Sequence, residues 1–176
     1  MKFFNIEEPT AQPTTPNIHI DSIGIDFGTT NSLVAAIVDG KPMIIGARGM
    51  VESLVSIEDE HDFAVGHKSA SHIKSIKRIM GKSAKEIKAS DILSDSIKQH
   101  IILENDQVQI KVNNQLVSPR YIASKIFLHL KNQAEEHFDA KINQAVVTVP
   151  AHFDEVARGE IKMAAELAGL KVLRLI

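Results

Sequence analysis

Apolar positions in this chain fall into short runs near the start and into helical spacing near the end. Ile23-Gly24-Ile25-Asp26-Phe27 is an apolar strand interrupted once by a carboxylate, and Gly28-Thr29-Thr30-Asn31 is turn chemistry. Residues 33–38 predict a second strand, which Asp39-Gly40, a favoured two-residue hairpin turn, leads into a third at 41–45. Strands joined so closely must pair antiparallel. The spacing then predicts a helix over 66–88 with a break at Gly81. Alternation over 97–103 and 108–112 around Asn105-Asp106 predicts another hairpin, and Asn113-Asn114 a further turn into Leu116-Val117.

From Ser118 onward the period lengthens. Ser118 and Pro119 supply a cap and a first helical residue, and Ile122, Ile126 and Leu130 recur at i, i+4, predicting a long helix to about Phe138. Residues 145–149 are a continuous apolar run of strand length, which predicts a strand covered on both faces, and Pro150 ends it. Asp154 is placed to cap a helix with Ala157, Ile161, Ala164, Ala165 and Ala168 on one face. Gly169 stands where a left-handed stop is expected, and residues 170–176 read as a last strand. Strands alternating with helices after an opening meander of hairpins give an α/β fold with a mixed sheet and flanking helices.

Composition narrows the function classes. The chain has 176 residues, 44% hydrophobic and 24% charged, the proportions of a folded domain with a substantial core. A formal net charge of −2 offers no general attraction for nucleic acid or an anionic membrane. There is no cysteine, which removes disulfides, thiolate metal sites and a cysteine nucleophile. Residues 1–20 read as a flexible Pro-rich tail, with Pro9, Pro13 and Pro16 among Thr and Gln. Phe3-Phe4-Asn5-Ile6 is too short for the apolar core of a signal peptide, and no run approaches the ~20 apolar residues of a membrane helix. A cytoplasmic setting is expected.

Candidate chemistry concentrates at residues 25–32. A carboxylate within an apolar strand must meet a cation, water or hydrogen-bond donors. The Gly-Thr-Thr-Asn turn behind Asp26 exposes backbone N–H groups and two hydroxyls, a set suited to phosphate. Together they can hold a hydrated Mg2+ on one side and phosphate oxygens on the other. The same residues also fit an ordinary hairpin with an exposed aspartate at its end. Neither Gly-x-x-x-x-Gly-Lys-Ser/Thr nor Gly-x-Gly-x-x-Gly occurs. Between residues 68 and 88 Lys and Arg far outnumber the one acid, Glu86, a pattern that by itself describes a solvated basic helix face. The histidines lack metal-site spacing such as His-Glu-x-x-His.

Residues 23–32, Ile-Gly-Ile-Asp-Phe-Gly-Thr-Thr-Asn-Ser, resemble the first phosphate motif of the DnaK-type heat-shock chaperones almost letter for letter. Sugar kinases and bacterial actins carry a weaker form of it, and two further blocks separate them. Ile76-Lys77-Arg78-Ile79-Met80-Gly81 resembles the family's Lys-Arg-hydrophobic-x-Gly block. Residues 146–153 resemble its Val-x-Thr-Val-Pro-Ala-Tyr-Phe block, with His152 in place of the tyrosine. Arg158 and residues 168–174 also fall at the family's spacing. The resemblance is thus to the heat shock protein 70 family, from about residue 21 to the last residue. The Pro-rich extension and the run Lys-Arg-Ile-Met-Gly-Lys-Ser are similar to its HscA branch.

That resemblance implies an actin-like ATPase (ribonuclease H-like) fold, of which this chain is lobe I alone. It implies a core subdomain at about 21–57 and 115–176, a smaller one at about 58–114, and ATP or ADP with Mg2+ as cofactors. Asp26 would lie near the metal through water, and Gly28, Thr29, Thr30 and Asn31 would form the phosphate site. Lys77 would be the catalytic lysine, orienting the attacking water and offsetting charge on the transferring phosphoryl group. Pro150 and Arg158 would relay nucleotide state to a substrate domain, and Arg174 would meet a J-domain co-chaperone. The implied process is protein folding, with iron–sulfur cluster assembly through an iron–sulfur scaffold protein as the branch's speciality.

The chain also departs from the family pattern. Glu52 stands where the family carries proline, and the segment before Lys77 is shortened. The family's Asn-Glu-Pro-Thr segment, second phosphate motif, adenosine motif, linker and peptide-binding domain do not occur in these 176 residues. Half a cleft cannot enclose adenine, so inactivity alone is expected. Two other readings fit parts of the pattern. One is a non-catalytic remnant or interaction module from a split gene with a complementing downstream fragment, suggested by the apolar end at 172–176. The other is a fragment of a different actin-fold enzyme, such as a sugar kinase.

Overall fold

The structure is a computed structural model that describes residues 20–58 and 62–176; the expected Pro-rich tail lies, up to residue 19, outside the described residues. Twelve strands, four α-helices and one 3-10 turn make up the described elements. The opening meander is as the pattern predicts. β1 (Ile23–Asp26), β2 (Asn31–Val38) and β3 (Lys41–Ile45) pair antiparallel in sequence, and the Asp39-Gly40 turn has the two positive φ values, 50° and 74°, of a tight hairpin. The late elements also match. α3 (Pro119–Phe138) starts at Ser118, whose hydroxyl accepts from the Tyr121 N–H, and α4 (Glu155–Leu167) starts at Asp154, whose carboxylate accepts from Ala157 N–H at 2.8 Å.

β11 (Gln144–Thr148) and β12 (Lys171–Leu175) join the opening strands in one mixed sheet of order β12-β11-β1-β2-β3, with β4 (Val51–Glu52) also paired to β2. β1 lies parallel to β11, in a register that sets Asp26 beside Thr148. The core lies between this sheet and the two long helices. Ile23, Ile25, Val34, Ala145 and Val147 point inward from the sheet, meeting Ile122, Ile126 and Leu130 of α3 and Ile161, Ala164 and Ala165 of α4. Phe27 and Phe127 close it, with ring centroids 5.0 Å apart.

Two smaller sheets complete the chain. β5 (Leu54–Ile57) is the centre of β6-β5-β7, with β6 (Phe63–Val65) and β7 (His72–Lys74) on either side. β8 (Ile101–Glu104), β9 (Gln107–Val112) and β10 (Gln115–Val117) form an antiparallel meander whose first turn, Asn105-Asp106, has φ of 49° and 59°. Ile57 ends β5, paired with Phe63 of β6, and the Glu58 N–H that follows donates to the Asp62 carbonyl at 3.0 Å. Among the described residues no helix is long and apolar enough to cross a membrane.

Three expectations need correction. The segment 66–88 is not one broken helix: β7 is followed by a 3-10 turn at Ile76–Ile79 and a short α1 (Ala84–Lys88). Gly66 at φ 77° and Ser75 at φ 58° break any helical run, and Ile73 and Ile76 are buried from different elements rather than from one stripe. The strand expected over 97–103 begins as the helical turn α2 (Asp95–Lys98), with the strand proper only from Ile101. The 145–149 run alternates instead of being covered twice: Ala145, Val147 and Val149 are buried, whereas Val146 and Thr148 are only half-buried. The face bearing Val146 continues across β2 and β3, where Ile37 and Ile44 stand exposed.

Candidate phosphate site

β1 and β2 are joined by the Gly-Thr-Thr-Asn turn, and its shape is fixed by contacts from behind. The Gly28 N–H donates to the Ser32 hydroxyl at 3.2 Å, and Ser32 Oγ lies 2.8 Å from Ser53 Oγ, both serines being buried. The Ser53 N–H donates to the Thr30 carbonyl at 2.7 Å. A Cβ at Gly28 would collide with the Asn31 carbonyl oxygen, so only glycine allows the backbone to fold this tightly. Thr29 is half-buried, while Thr30 and Asn31 remain exposed on the front of the turn.

Lys77 comes from the 3-10 turn, distant in sequence, yet its ammonium donates a hydrogen bond to the Phe27 carbonyl immediately before Gly28. The residue is only 7% exposed and is buried, not part of a solvated face. Its Nζ sits 5.6 Å from the Phe27 ring centroid and 5.7 Å from that of Phe153. Burial pushes the Lys77 pKa below the usual lysine value, and the Asp26 carboxylate pulls it part of the way back. Asp26 itself is not buried as a carboxylate inside a strand would be. It ends β1 on the exposed side and accepts from the Thr148 hydroxyl at 2.6 Å.

A cavity of about 410 Å3 opens beside this cluster, with Thr29, Lys77, Pro150, Phe153 and Asp154 in its wall. Gly81 forms another part of the wall at φ 73°, where a Cβ would come within 2.5 Å of the Ala157 Cα on α4. The 3-10 turn that carries Lys77 is therefore seated directly on the first turn of α4. Arg158 touches this wall indirectly, its Nε donating to the Phe153 carbonyl at 3.2 Å. Arg174 is not brought to the cavity: it is exposed on the edge strand β12, paired in register with Val146.

Sequence reasoning thus has Asp26, the turn and Lys77 in one place, with Pro150 across the cavity. It misses Thr148, Ser32 and Ser53. Thr148 lies inside a quoted block, but only the parallel register of β1 and β11 reveals that it faces Asp26. The two serines are signalled by nothing more than small polar residues in apolar runs.

A family model described as Hsp70 protein matches residues 22–176. This chain belongs to the Hsp70 family. The region matched is part of that family's nucleotide-binding domain, in keeping with the mixed sheet and flanking helices. The expected likeness to the HscA branch is also found. The chain is 38% identical to a chaperone protein HscA homolog of Rickettsia typhi, 39% to that of Rickettsia prowazekii and 40% to that of Rickettsia bellii, in each case over its full length. It covers 29–30% of those relatives and so spans less than a third of their length.

Proposed function

We propose that this Hsp70-family chain contributes the phosphate-binding half of an ATP site, in a chaperone system that couples nucleotide turnover to protein folding. The observation that carries this reading is the Lys77 ammonium bonded to the Phe27 carbonyl at the entrance of the Gly28–Asn31 turn. Three kinds of group lie together there: a fixed cation, a tight turn with Thr30 and Asn31 exposed, and a carboxylate steadied by a hydroxyl.

The residues fit ATP or ADP with Mg2+. The crowding at Gly28 keeps the turn tight, and a tight Gly-Thr-Thr-Asn turn with Thr30 and Asn31 exposed offers backbone N–H groups and hydroxyls of the kind that bind phosphate oxygens. Asp26, with one oxygen held by Thr148, keeps lone pairs free toward water, and a Mg2+ ion held there would neutralise phosphate charge. Lys77 supplies a positive charge that does not have to reorganise, because burial and the Phe27 carbonyl already fix it. A cation ~4 Å from a phosphate at an effective dielectric of ~20 contributes about 4 kcal/mol. In that role Lys77 also orients the water that attacks the terminal phosphate. Pro150 and Arg158, joined to the cavity through Phe153, are the relay by which occupancy of the site reaches α4 and beyond. Arg174, exposed at the sheet edge, is offered to a J-domain partner. The same proposal extends to iron–sulfur cluster assembly with a scaffold protein as client, a reading that rests on the resemblance to the HscA branch.

The cavity is open, so binding is expected to be weak and hydrolysis to need a complete cleft. Titration of the chain with fluorescent ATP in Mg2+ should saturate at sub-millimolar to millimolar nucleotide, with ADP competing. A folded chain that shows no saturable binding at ~10 mM ATP, far above the usual range of such sites, would refute the proposal.

A further inference from the structure

A second cavity, of about 300 Å3, is built by other residues than the phosphate site and has no part in the nucleotide reading. Residues 46–50 and β4 form one wall, Gly66 and His67 after β6 another, and His129 and Gln133 of α3 the floor. Its charged and titratable groups are Arg48, Glu52, His67 and His129. The one carboxylate among them, Glu52, is held 2.6 Å from the Lys74 ammonium of β7, which leaves the lining without uncompensated negative charge. What remains is a guanidinium, two imidazoles and the Gln133 amide, a set of donors around a concave space.

The frame behind these donors is rigid. His129 and Gln133 are i, i+4 neighbours on α3, whose Ile126, Leu130 and Ala134 are fully buried. The loop is shaped by Gly46 at φ 103° and Gly49 at φ 72°, closed by an N–H of Gly49 on the Gly46 carbonyl at 3.0 Å. Gly46 packs against Gln133, since a Cβ there would stand 3.6 Å from its side-chain oxygen. Arg48 is therefore carried on a short tight turn anchored to the helix that presents His129.

We propose that this cavity binds a small oxyanion of the sulfate and phosphate class, held by Arg48, His67, His129 and Gln133. The Arg48 guanidinium in the lining disfavours a metal cation, and a 300 Å3 volume suits a small ligand rather than a cofactor. Burial, and then the neighbouring His67, lower the His129 pKa. An anion in this cavity opposes that lowering by favouring the charged imidazole, so binding takes up a proton and tightens as pH falls.

Sulfate keeps both charges across the working range, so any pH dependence belongs to the protein. The test is a sulfate titration balanced with chloride at constant ionic strength, read on the ring C–H NMR signals of His67 and His129. Saturable shifts of both rings are expected, with affinity rising by up to about tenfold per pH unit between about pH 7.5 and about pH 6 if one proton is taken up. R48A should remove the saturable shift of His129, and H129Q that of His67. Glycerol 3-phosphate serves as a second probe: competition with sulfate names the end of a larger phosphorylated molecule as ligand, and binding of sulfate alone names a free ion. Shifts that are linear and equal in chloride overturn the proposal, as do shifts that persist in R48A and H129Q but vanish in K77A, which would place the anion in the phosphate cavity.

Discussion

Replacing Lys77 by methionine separates the cost of burying a charge from its use. Methionine preserves the length of the stem and its apolar packing between Phe27 and Phe153, so little cavity is created. Lost are one hydrogen bond from a charged donor to the Phe27 carbonyl, about 1.5–3 kcal/mol, and contacts with two ring faces worth about 1 kcal/mol. Gained is relief from desolvating the ammonium, several kcal/mol for a buried ion. These terms nearly cancel, so K77M should change stability by no more than about 2 kcal/mol, or a Tm shift within about 8 °C for a chain of this size. The pH profile sharpens the test. With its folded-state pKa below the unfolded 10.5, Lys77 carries its burial penalty in full below the folded pKa and sheds it as pH rises toward 10.5; K77M lacks that rise.

The nucleotide consequence is of another size. Removing ~4 kcal/mol of attraction at the phosphate should weaken ATP binding by up to about a thousandfold, in practice abolishing it for a site already weak. The assay pairs urea unfolding with fluorescent-ATP titration on the same preparations. A K77M chain that melts more than ~15 °C lower would show that the lysine is a structural pin rather than a reserved charge. A K77M chain that stays folded and binds ATP as the parent does would remove Lys77 from the site altogether.

Two further outcomes follow from the geometry. G81A places a Cβ within 2.5 Å of the Ala157 backbone at a φ that disfavours side chains, so it should lower stability by about 3 kcal/mol or more and loosen the seat of the 3-10 turn on α4, as urea midpoints would show; a neutral G81A would mean that this seat yields freely. Burial, with the neighbouring His67, holds the His129 pKa below 6.5, so the unfolded chain takes the proton first as pH falls. Stability should be complete above about pH 6.5, decline through the window down to the folded pKa and then level, and H129Q should flatten that decline; equal slopes in both proteins would contradict the assignment.

Local chemistry made much of this legible in advance. Asp39-Gly40 and Asn105-Asp106 are turns because few other pairs tolerate two successive positive φ values. Ser118-Pro119 and Asp154 open helices because their side chains satisfy, or their ring removes, N–H groups that have no partner in a first turn. What stayed hidden depends on distance along the chain. Over residues 66–88, where the expected helix does not form, charge and Ser content are silent on which apolar residues are buried: Ile73 pairs with Val55 of β5, and the turn bearing Ile76 packs on α3, both distant in sequence. Lys77 was placed by its motif alone, since among so many neighbouring cations nothing local marks the one that turns inward. Thr148 needed the β1–β11 register, which no local pattern specifies.

Glu52 shows how a departure from the family pattern can leave a site standing. A proline at this position would fix φ on the approach to the phosphate turn. The groups that hold the turn are elsewhere: the Ser53 N–H on the Thr30 carbonyl at 2.7 Å, and the Ser53 hydroxyl 2.8 Å from Ser32, which in turn receives the Gly28 N–H. Glu52 points its own side chain the other way, into the ion pair with Lys74 of β7. That pair is partly exposed and contributes no more than about 1 kcal/mol, but it ties β4 to the strand that runs directly into the Lys77 turn. A φ restraint within one strand is replaced by a link between two elements, and both routes end in the same place, with the turn and the lysine held in register.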